Sequence, residues 1–128
     1  MSYIRHRSEE SVEDYLEAIL ILSKRQSNVR SIDIANELSY SKPSVSIAMK
    51  NLRSSEYITV DENGYIHLTT TGLALASSTY ERHTVLSNWL ISLGVSHDIA
   101  LADACKMEHD ISPESFIAIK GFIDKHTL

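Results

Sequence analysis

The sequence has little of what marks several other classes of protein. It contains one cysteine and two prolines in 128 residues, and no run of about 18 apolar residues that could cross a membrane. Its first residues, MSYIRHRSEESVEDY, lack the apolar stretch of a secretion signal. A single cysteine forms no internal disulfide, so these absences favour a cytoplasmic protein without a membrane partner.

Positive charge is also scarce. Twelve lysines and arginines stand against 17 acids, a formal net charge of −5. This at first argues against a nucleic-acid partner, because basic residues drive the release of counterions from phosphates. The segment from Leu38 to Ser55, LSYSKPSVSIAMKNLRSS, nevertheless carries three basic residues and no acid. The chain is therefore compatible with DNA binding through this locally basic segment, despite its negative net charge.

Residues 9–25, EESVEDYLEAILILSKR, predict a helix with acids in its first turn and bases in its last. Asp14 and Glu17 are three residues apart, so they share a face, together with Ala18 and Ile21. That face is too apolar to be simply a solvated one.

Two short helices and a hairpin follow. Ser31 is the predicted N-cap of a helix through Leu38, and Pro43 suits the first turn of a helix reaching about Ser54. Two short helices joined by three or four residues, the second one basic, are typical of a helix-turn-helix. The next segment, YITVDENGYIHLT, alternates apolar and polar residues around a turn with glycine, which predicts a hairpin. This order is that of a winged helix-turn-helix domain.

The rest of the chain predicts three further helices. The first spans residues 71–93 and stops at Gly94, the second is capped by Ser96 and runs to residue 110, and the third begins at Ser112. Their apolar surface exceeds what so small a unit can hide, which favours dimerisation.

The predicted fold is therefore mainly α and has two parts. Residues 1–71 are expected to form a winged helix-turn-helix DNA-binding domain with a small β-hairpin wing. Residues 72–128 are expected to form an α-helical metal-binding and dimerisation domain. We find no internal repeat and no low-complexity linker.

Candidate metal ligands lie on three of the predicted helices. They are a pair of carboxylates, a histidine on an apolar stripe, and a thiol, a carboxylate and an imidazole on one helix face: Asp14, Glu17, His83, Cys105, Glu108 and His109. Taken singly, each has an ordinary alternative as a core histidine, a small buried hydrophobe or a surface acid near a helix start. Together they supply what one divalent ion needs, if the first helix packs between the fourth and the fifth.

The donor types narrow the choice of ion. Burying acids without a partner is costly, and a cation is the usual remedy. Carboxylates and imidazoles suit Mn(II) and Fe(II), whereas a thiolate adds affinity for softer ions, including Fe(II), Co(II) and Zn(II). Structural zinc is disfavoured, because such sites show paired cysteines or histidines at short spacing. We expect a divalent transition metal, Mn(II) or Fe(II) first, with Co(II) and Zn(II) as alternatives.

In the order and spacing of its motifs, the chain resembles the diphtheria toxin repressor family of metal-dependent transcriptional regulators, particularly its short manganese transport regulator branch. The matching stretches are SVEDYLEAILIL, the SKPSVS of the second short helix, LTTTGLALA, YERH and ADACKMEH, which together cover nearly the whole chain. The resemblance implies that the six candidate ligands correspond to metal-binding positions.

Two departures from the family pattern concern the metal. Manganese regulators of this type usually have a glutamate where Cys105 stands, and iron-responsive relatives have a cysteine there but a methionine where Asp14 stands. The chain is therefore a hybrid of the two patterns. Ser87 and Leu101 replace a glutamate and a histidine of the ancillary site in the iron-responsive branch. A mononuclear site or an altered second site is expected.

The resemblance also implies a function: a repressor of metal-uptake genes that binds double-stranded operator DNA as a homodimer. Metal binding between the two domains would set the spacing of the two recognition helices. The candidate DNA contacts are Ser41, Lys42, Pro43, Ser44, Ser46 and Lys50. Serines and lysines most often bind phosphate, so only some should contact bases. The alternative for Ser41 or Ser44 is that it merely caps the helix.

Two other classes of function fit the sequence less well. A winged-helix regulator that is metal-independent or senses a small molecule would leave the shared acids and Cys105 unexplained. An enzyme using Cys105 and His109 is disfavoured, because residues i and i+4 of one helix lack the opposed thiol–imidazole geometry and the oxyanion donors of such catalysis. We therefore expect no enzymatic activity.

Overall fold

A computed structural model describes the backbone of residues 7–126 and the side chains of residues 12–126. Within these ranges there are six helices and one antiparallel hairpin. From Ser8 onward, the described residues form two compact units, which divide between Ser78 and Thr79. None of the described helices is both long enough and apolar enough to cross a membrane.

The first unit contains three helices followed by the hairpin, in the order predicted from the sequence. The elements are α1 (Arg7–Arg25), α2 (Ser31–Leu38), α3 (Lys42–Ser54), β1 (Ile58–Val60) and β2 (Ile66–Leu68). The strands pair Ile58 with Leu68 and Val60 with Ile66. This architecture confirms the predicted winged helix-turn-helix fold with a small β-hairpin wing.

The caps of the two short helices differ in how well the sequence predicts them. Ser31 is not the N-cap of α2, as was expected, but its first residue. The Asp33 carboxylate accepts the N–H of the true N-cap, Arg30, at 2.9 Å, so an acid in the first turn satisfies this backbone donor. α3 begins as predicted: Ser41 Oγ accepts the Ser44 N–H at 3.3 Å, and a proline lies in the first turn.

The core of the first unit is built from α1, α2, α3 and the hairpin. Its most deeply buried large side chains are Leu16, Ile19, Ile34, Val45 and Ile58. One face of α3 is buried throughout, with Val45, Met49 and Leu52 spaced three or four residues apart. The opposite face of α3 is therefore available to a partner.

The turn between α2 and α3 holds a serine in a left-handed backbone conformation. Ser39 has φ 58° and ψ 38°, a region that favours glycine because it has no Cβ. We expect Ser39→Gly to raise the free energy of unfolding by roughly 0.5–1 kcal/mol, measured by urea denaturation of the metal-free protein. Ser39→Ala keeps the Cβ and should bring no gain. Equal denaturation midpoints for the two variants would contradict this account.

The second unit contains the remaining helices. α4 (Thr70–Ser92) begins in the first unit and continues into this one, and α5 (His97–Asp110) and α6 (Pro113–His126) follow. Its core is formed by Leu86, Ala104 and Phe116. Partly buried hydrophobics pack against these three: Val85, Trp89, Met107, Ile111 and Ile119.

The helix ends of the second unit mostly follow the sequence signals. Gly94 has φ 99°, the left-handed conformation of a helix stop. Ser112 Oγ accepts the Ser115 N–H at 3.1 Å at the start of α6. Ser96 occupies the N-cap position of α5 as predicted, although its side chain makes no capping hydrogen bond.

Candidate metal centre

Glu108, near the end of α5, lies between two imidazoles. Its side chain is 1% exposed. One carboxylate oxygen, Oε2, is 3.4 Å from Nδ1 of His83 on α4, and the other, Oε1, is 3.5 Å from Nε2 of His109. Residues that are 25 positions apart in the sequence are thus brought together around one buried acid. His109 is buried as well, and His83 is half-buried.

Cys105 extends this group along α5. Ligand atoms of Cys105, Glu108 and His109 all lie within 4.8 Å of one another. This confirms the predicted common face of the i, i+3 and i+4 positions. The cysteine is free and exposed, so its thiol is accessible to solvent and to an incoming ion.

The donor set fits a divalent transition metal. Nitrogen and oxygen ligands bind such ions at about 2.0–2.2 Å, so two ligands of one ion lie roughly 3.0–3.5 Å apart at right or tetrahedral angles. The two distances from the Glu108 carboxylate, 3.4 and 3.5 Å, agree with this spacing. Imidazole and carboxylate suit Mn(II) and Fe(II), and the thiol adds a softer donor. The second unit therefore supplies four candidate ligands: His83, Cys105, Glu108 and His109.

A buried arginine fixes the backbone next to these ligands. Arg82 is 9% exposed, and its Nη1 donates to the backbone carbonyl of Glu108 at 3.2 Å. Its guanidinium lies 5.5 Å from the centre of the Phe116 ring. The contact ties the end of α5 to α4. Arg82 is not apparent as a site residue in the sequence, because a charged residue on a long helix is ordinarily solvated.

The two acids predicted from the first helix belong to the first unit. Asp14 and Glu17 lie on α1, and both are half-buried. Their spacing of three residues places them on one face of that helix, as expected. Their participation in the metal centre stays a prediction.

The predicted DNA contacts all lie at the surface of the first unit. Ser41, Lys42, Pro43, Ser44, Ser46 and Lys50 are exposed. Ser41 caps α3 through the Ser44 N–H and also donates to Ser44 Oγ at 2.8 Å, which confirms the capping alternative for Ser41. Contacts of the six residues with DNA stay predictions.

The wing is closed by an aspartate. Asp61 Oδ1 accepts the N–H groups of Asn63 at 2.9 Å and Tyr65 at 3.0 Å, and Oδ2 lies 3.0 Å from His67 Nε2. The hydrogen bond with His67, followed by that from the Tyr65 backbone, lowers the pKa of Asp61 from its ordinary value. Ionised Asp61 therefore holds the turn between β1 and β2.

Comparison with known proteins accounts for this combination of units. The chain matches the model of the iron dependent repressor N-terminal DNA binding domain over residues 9–68. It matches the iron dependent repressor metal binding and dimerisation domain over residues 69–127. Transcriptional regulator MntR of Escherichia coli O157:H7 is 37% identical over 121 residues, which cover 94% of this chain and 77% of that protein. The chain belongs to the iron-dependent repressor family.

Solved structures of similar proteins agree with this assignment. The manganese regulator SloR matches with a TM-score of 0.78 and 31% identity, over 88% of this chain and 53% of that one. ScaR with bound Zn²⁺ matches with a TM-score of 0.75 and 28% identity, again over 88% and 53%. The chain spans about half the length of these two structures.

Membership of the iron-dependent repressor family confirms the resemblance seen in the sequence. The chain is a metal-dependent, DNA-binding transcriptional regulator, in a family of regulators rather than enzymes. A divalent transition metal is its cofactor class. The alternative, a winged-helix regulator that is metal-independent or senses a small molecule, is not favoured.

Proposed function

We propose that this regulator represses metal-uptake genes in the cytoplasm by binding operator DNA as a homodimer when Mn(II) or Fe(II) occupies the centre around Glu108. The observation that carries the proposal is the buried Glu108 carboxylate with an imidazole 3.4–3.5 Å from each oxygen. A buried acid with two imidazoles from different helices has the composition of a cation site.

In this proposal, Asp14 and Glu17 of α1 complete the set of ligands. The support is their shared, half-buried helix face and their chemistry, because carboxylates are ligands that suit Mn(II) and Fe(II). Without metal, their negative charges would repel Glu108, and a divalent cation would replace that repulsion with attraction. The ion would then link the helix that begins the DNA-binding unit to α4 and α5.

Dimerisation is supported by apolar surface on the second unit. Ile99, Ile117 and Phe122 are 57%, 68% and 55% exposed. Several large exposed hydrophobic side chains on one small unit favour a surface that a partner covers. A dimer would present two α3 helices to successive major grooves, about 34 Å apart. Metal would act by fixing that spacing. Its positive charge would also offset part of the net charge of −5.

The test is an anaerobic titration of DNA binding. A duplex is first selected by the Mn(II)-loaded protein from a randomised library. Its affinity is then measured by fluorescence anisotropy for the metal-free protein and with Mn(II), Fe(II), Co(II) or Zn(II), while bound metal is counted per chain. We expect Mn(II) or Fe(II) to tighten binding by about 10- to 100-fold, the usual range of allosteric coupling. Equal affinity with and without every ion would contradict the proposal.

The role of Cys105 can be tested separately by spectroscopy. Co(II) bound to a thiolate has a near-ultraviolet charge-transfer band, and Cys105 is the only cysteine of the chain. We expect the Co(II)-loaded protein to show this band and Cys105→Ser to lose it. We further expect Cys105→Glu to lower the affinity for Co(II) and Zn(II) relative to Mn(II), because a carboxylate is the harder donor. A wild-type protein that binds Co(II) without the band would exclude Cys105 as a ligand.

A further inference from the structure

The recognition helix exposes a large aliphatic side chain. Ile47 of α3 is 63% exposed, compared with 47% for Tyr40, 46% for Leu73 and 38% for Ile32 among the described residues of the first unit. Exposing so much aliphatic surface has no benefit for the stability of the unit. A partner that covers Ile47 would bury that apolar surface and gain binding free energy from it.

Ile47 lies in the middle of the outward face of α3. At 100° per residue it is about 200° around the helix from buried Val45, which places it opposite the core. Pro43 and Lys50, four residues before and three residues after it, share its face, and both are exposed. Any molecule that contacts this face must therefore contact Ile47.

The charge of the surrounding segment favours DNA as that molecule. From Leu38 to Ser55 there are three basic residues, Lys42, Lys50 and Arg53, and no acid, although the chain as a whole is acidic. An aliphatic side chain cannot form a hydrogen bond with a phosphate or with the edge of a base. The apolar group that the major groove presents is the C5-methyl of thymine.

We propose that Ile47 determines part of the operator sequence by packing against a thymine methyl in the major groove. The inference rests on the proposed operator binding. It adds a base-contacting residue to the candidate DNA contacts of α3, which are mostly serines and lysines. Most of those polar residues hold the helix on the phosphates, whereas the isoleucine selects thymine at one position in each half-site.

The test removes the methyl group from the DNA and the side chain from the protein. The Mn(II)-selected duplex is remade with deoxyuridine in place of each thymine in turn, which deletes only the methyl. For wild-type protein, one thymine per half-site should be sensitive, and its replacement should weaken binding about fourfold, the value of one buried methyl-sized group. Ile47→Ala should bind the thymine duplex correspondingly less tightly and be insensitive to the uracil replacement.

Two controls make the result specific. Leu73→Ala removes another exposed aliphatic side chain of the same unit and should retain the full sensitivity to deoxyuridine. A repeated selection with Ile47→Gln should change the preferred base at the sensitive position, because glutamine pairs with adenine rather than with a methyl group. The far-ultraviolet circular dichroism of each variant should match that of the wild-type protein, which excludes a loss of helix as the cause of weaker binding.

The outcomes separate the two proposals. If the wild-type protein selects a duplex but uracil replacement weakens Ile47→Ala as much as wild type, the role of Ile47 is wrong while operator binding stands. The same conclusion follows if Ile47→Ala changes only the oligomeric state, which would make Ile47 a protein contact. If the metal-loaded protein enriches no sequence, the proposed operator function fails, and this inference fails with it.

Discussion

Glu108→Gln should lower the affinity for the activating metal by about 100-fold or more. This loss is larger than the one usually caused by substituting a residue that only hydrogen-bonds to a metal ligand. Glutamine has the same shape, so the packing around position 108 is retained. It lacks the negative charge, however, and its amide is a weaker ligand for Mn(II) or Fe(II). Because the two imidazoles lie 3.4 and 3.5 Å from the carboxylate oxygens, this residue is the shared element of the centre.

The affinity is measured by competition between the protein and a chelator of known strength. Asp103→Asn is the matched control, because it makes the same change of charge at an exposed position of the same helix. It should bind metal like the wild-type protein. Wild-type metal affinity in Glu108→Gln would show that Glu108 is not a ligand. Matching far-ultraviolet circular dichroism in the presence of chelator excludes unfolding as the cause of a loss.

Gly72→Ala should cause a large loss of stability, although it adds only one methyl group to the protein. A Cβ at position 72, in the first turn of α4, would overlap the carbonyl oxygen of Tyr57 and would lie 2.9 Å from its carbonyl carbon. That carbonyl also accepts the Thr69 N–H at 3.0 Å. The Thr69 hydroxyl donates to it at 3.1 Å and to the neighbouring Glu56 carbonyl at 2.7 Å. The obstacle is backbone, which cannot rotate away, so relief of the clash must disturb these hydrogen bonds.

We expect Gly72→Ala to lower the free energy of unfolding by about 3 kcal/mol, the upper end of the usual cost of overpacking. Gly121→Ala is the matched control, because Gly121 also lies in a helix and nothing lies within 4 Å of an added Cβ. It should raise stability by roughly 0.5–1 kcal/mol through its better helix propensity. Both are measured by urea denaturation with chelator present, so that metal binding does not contribute. A wild-type midpoint for Gly72→Ala would contradict the close packing at Tyr57.

The helices and the hairpin were predictable because their signals are local. Apolar periodicity located the helices, and Pro43, Gly94 and Ser112 marked ends that agree with the structure to within one or two residues. The cap of α2 was predicted wrongly, because Ser31 and Asp33 are both good capping residues and the sequence does not say which one binds the backbone. Asp33 does so, from inside the first turn.

The candidate metal centre was predictable where its ligands share a helix. The spacing of Cys105, Glu108 and His109 requires only α-helical geometry, and the structure confirms it. The place of His83 beside Glu108 depends on how α4 packs against α5. The family resemblance implied it, whereas helical spacing does not reveal it.

Three important residues gave no usable signal in the sequence, because their roles depend on what approaches them in space. Arg82 is buried against the carbonyl of Glu108, Gly72 admits the carbonyl of Tyr57, and Ile47 faces away from the core. An arginine, a glycine and an isoleucine at these positions are ordinary components of helices. Only the tertiary structure distinguishes a buried charge, a close backbone approach and an exposed hydrophobe.

The central claim is that metal at the Glu108 centre and operator DNA stabilise the same state of the protein. Such coupling must be reciprocal: metal tightens DNA binding by the same factor by which DNA tightens metal binding. The decisive measurement determines both sides of this coupling. The affinity for Mn(II) is measured with and without the selected duplex, and the affinity for the duplex is measured with and without Mn(II). We predict equal factors of about 10- to 100-fold in the wild-type protein, and a factor near one in Glu108→Gln. A factor of one in the wild-type protein, despite stoichiometric metal binding, would contradict the account.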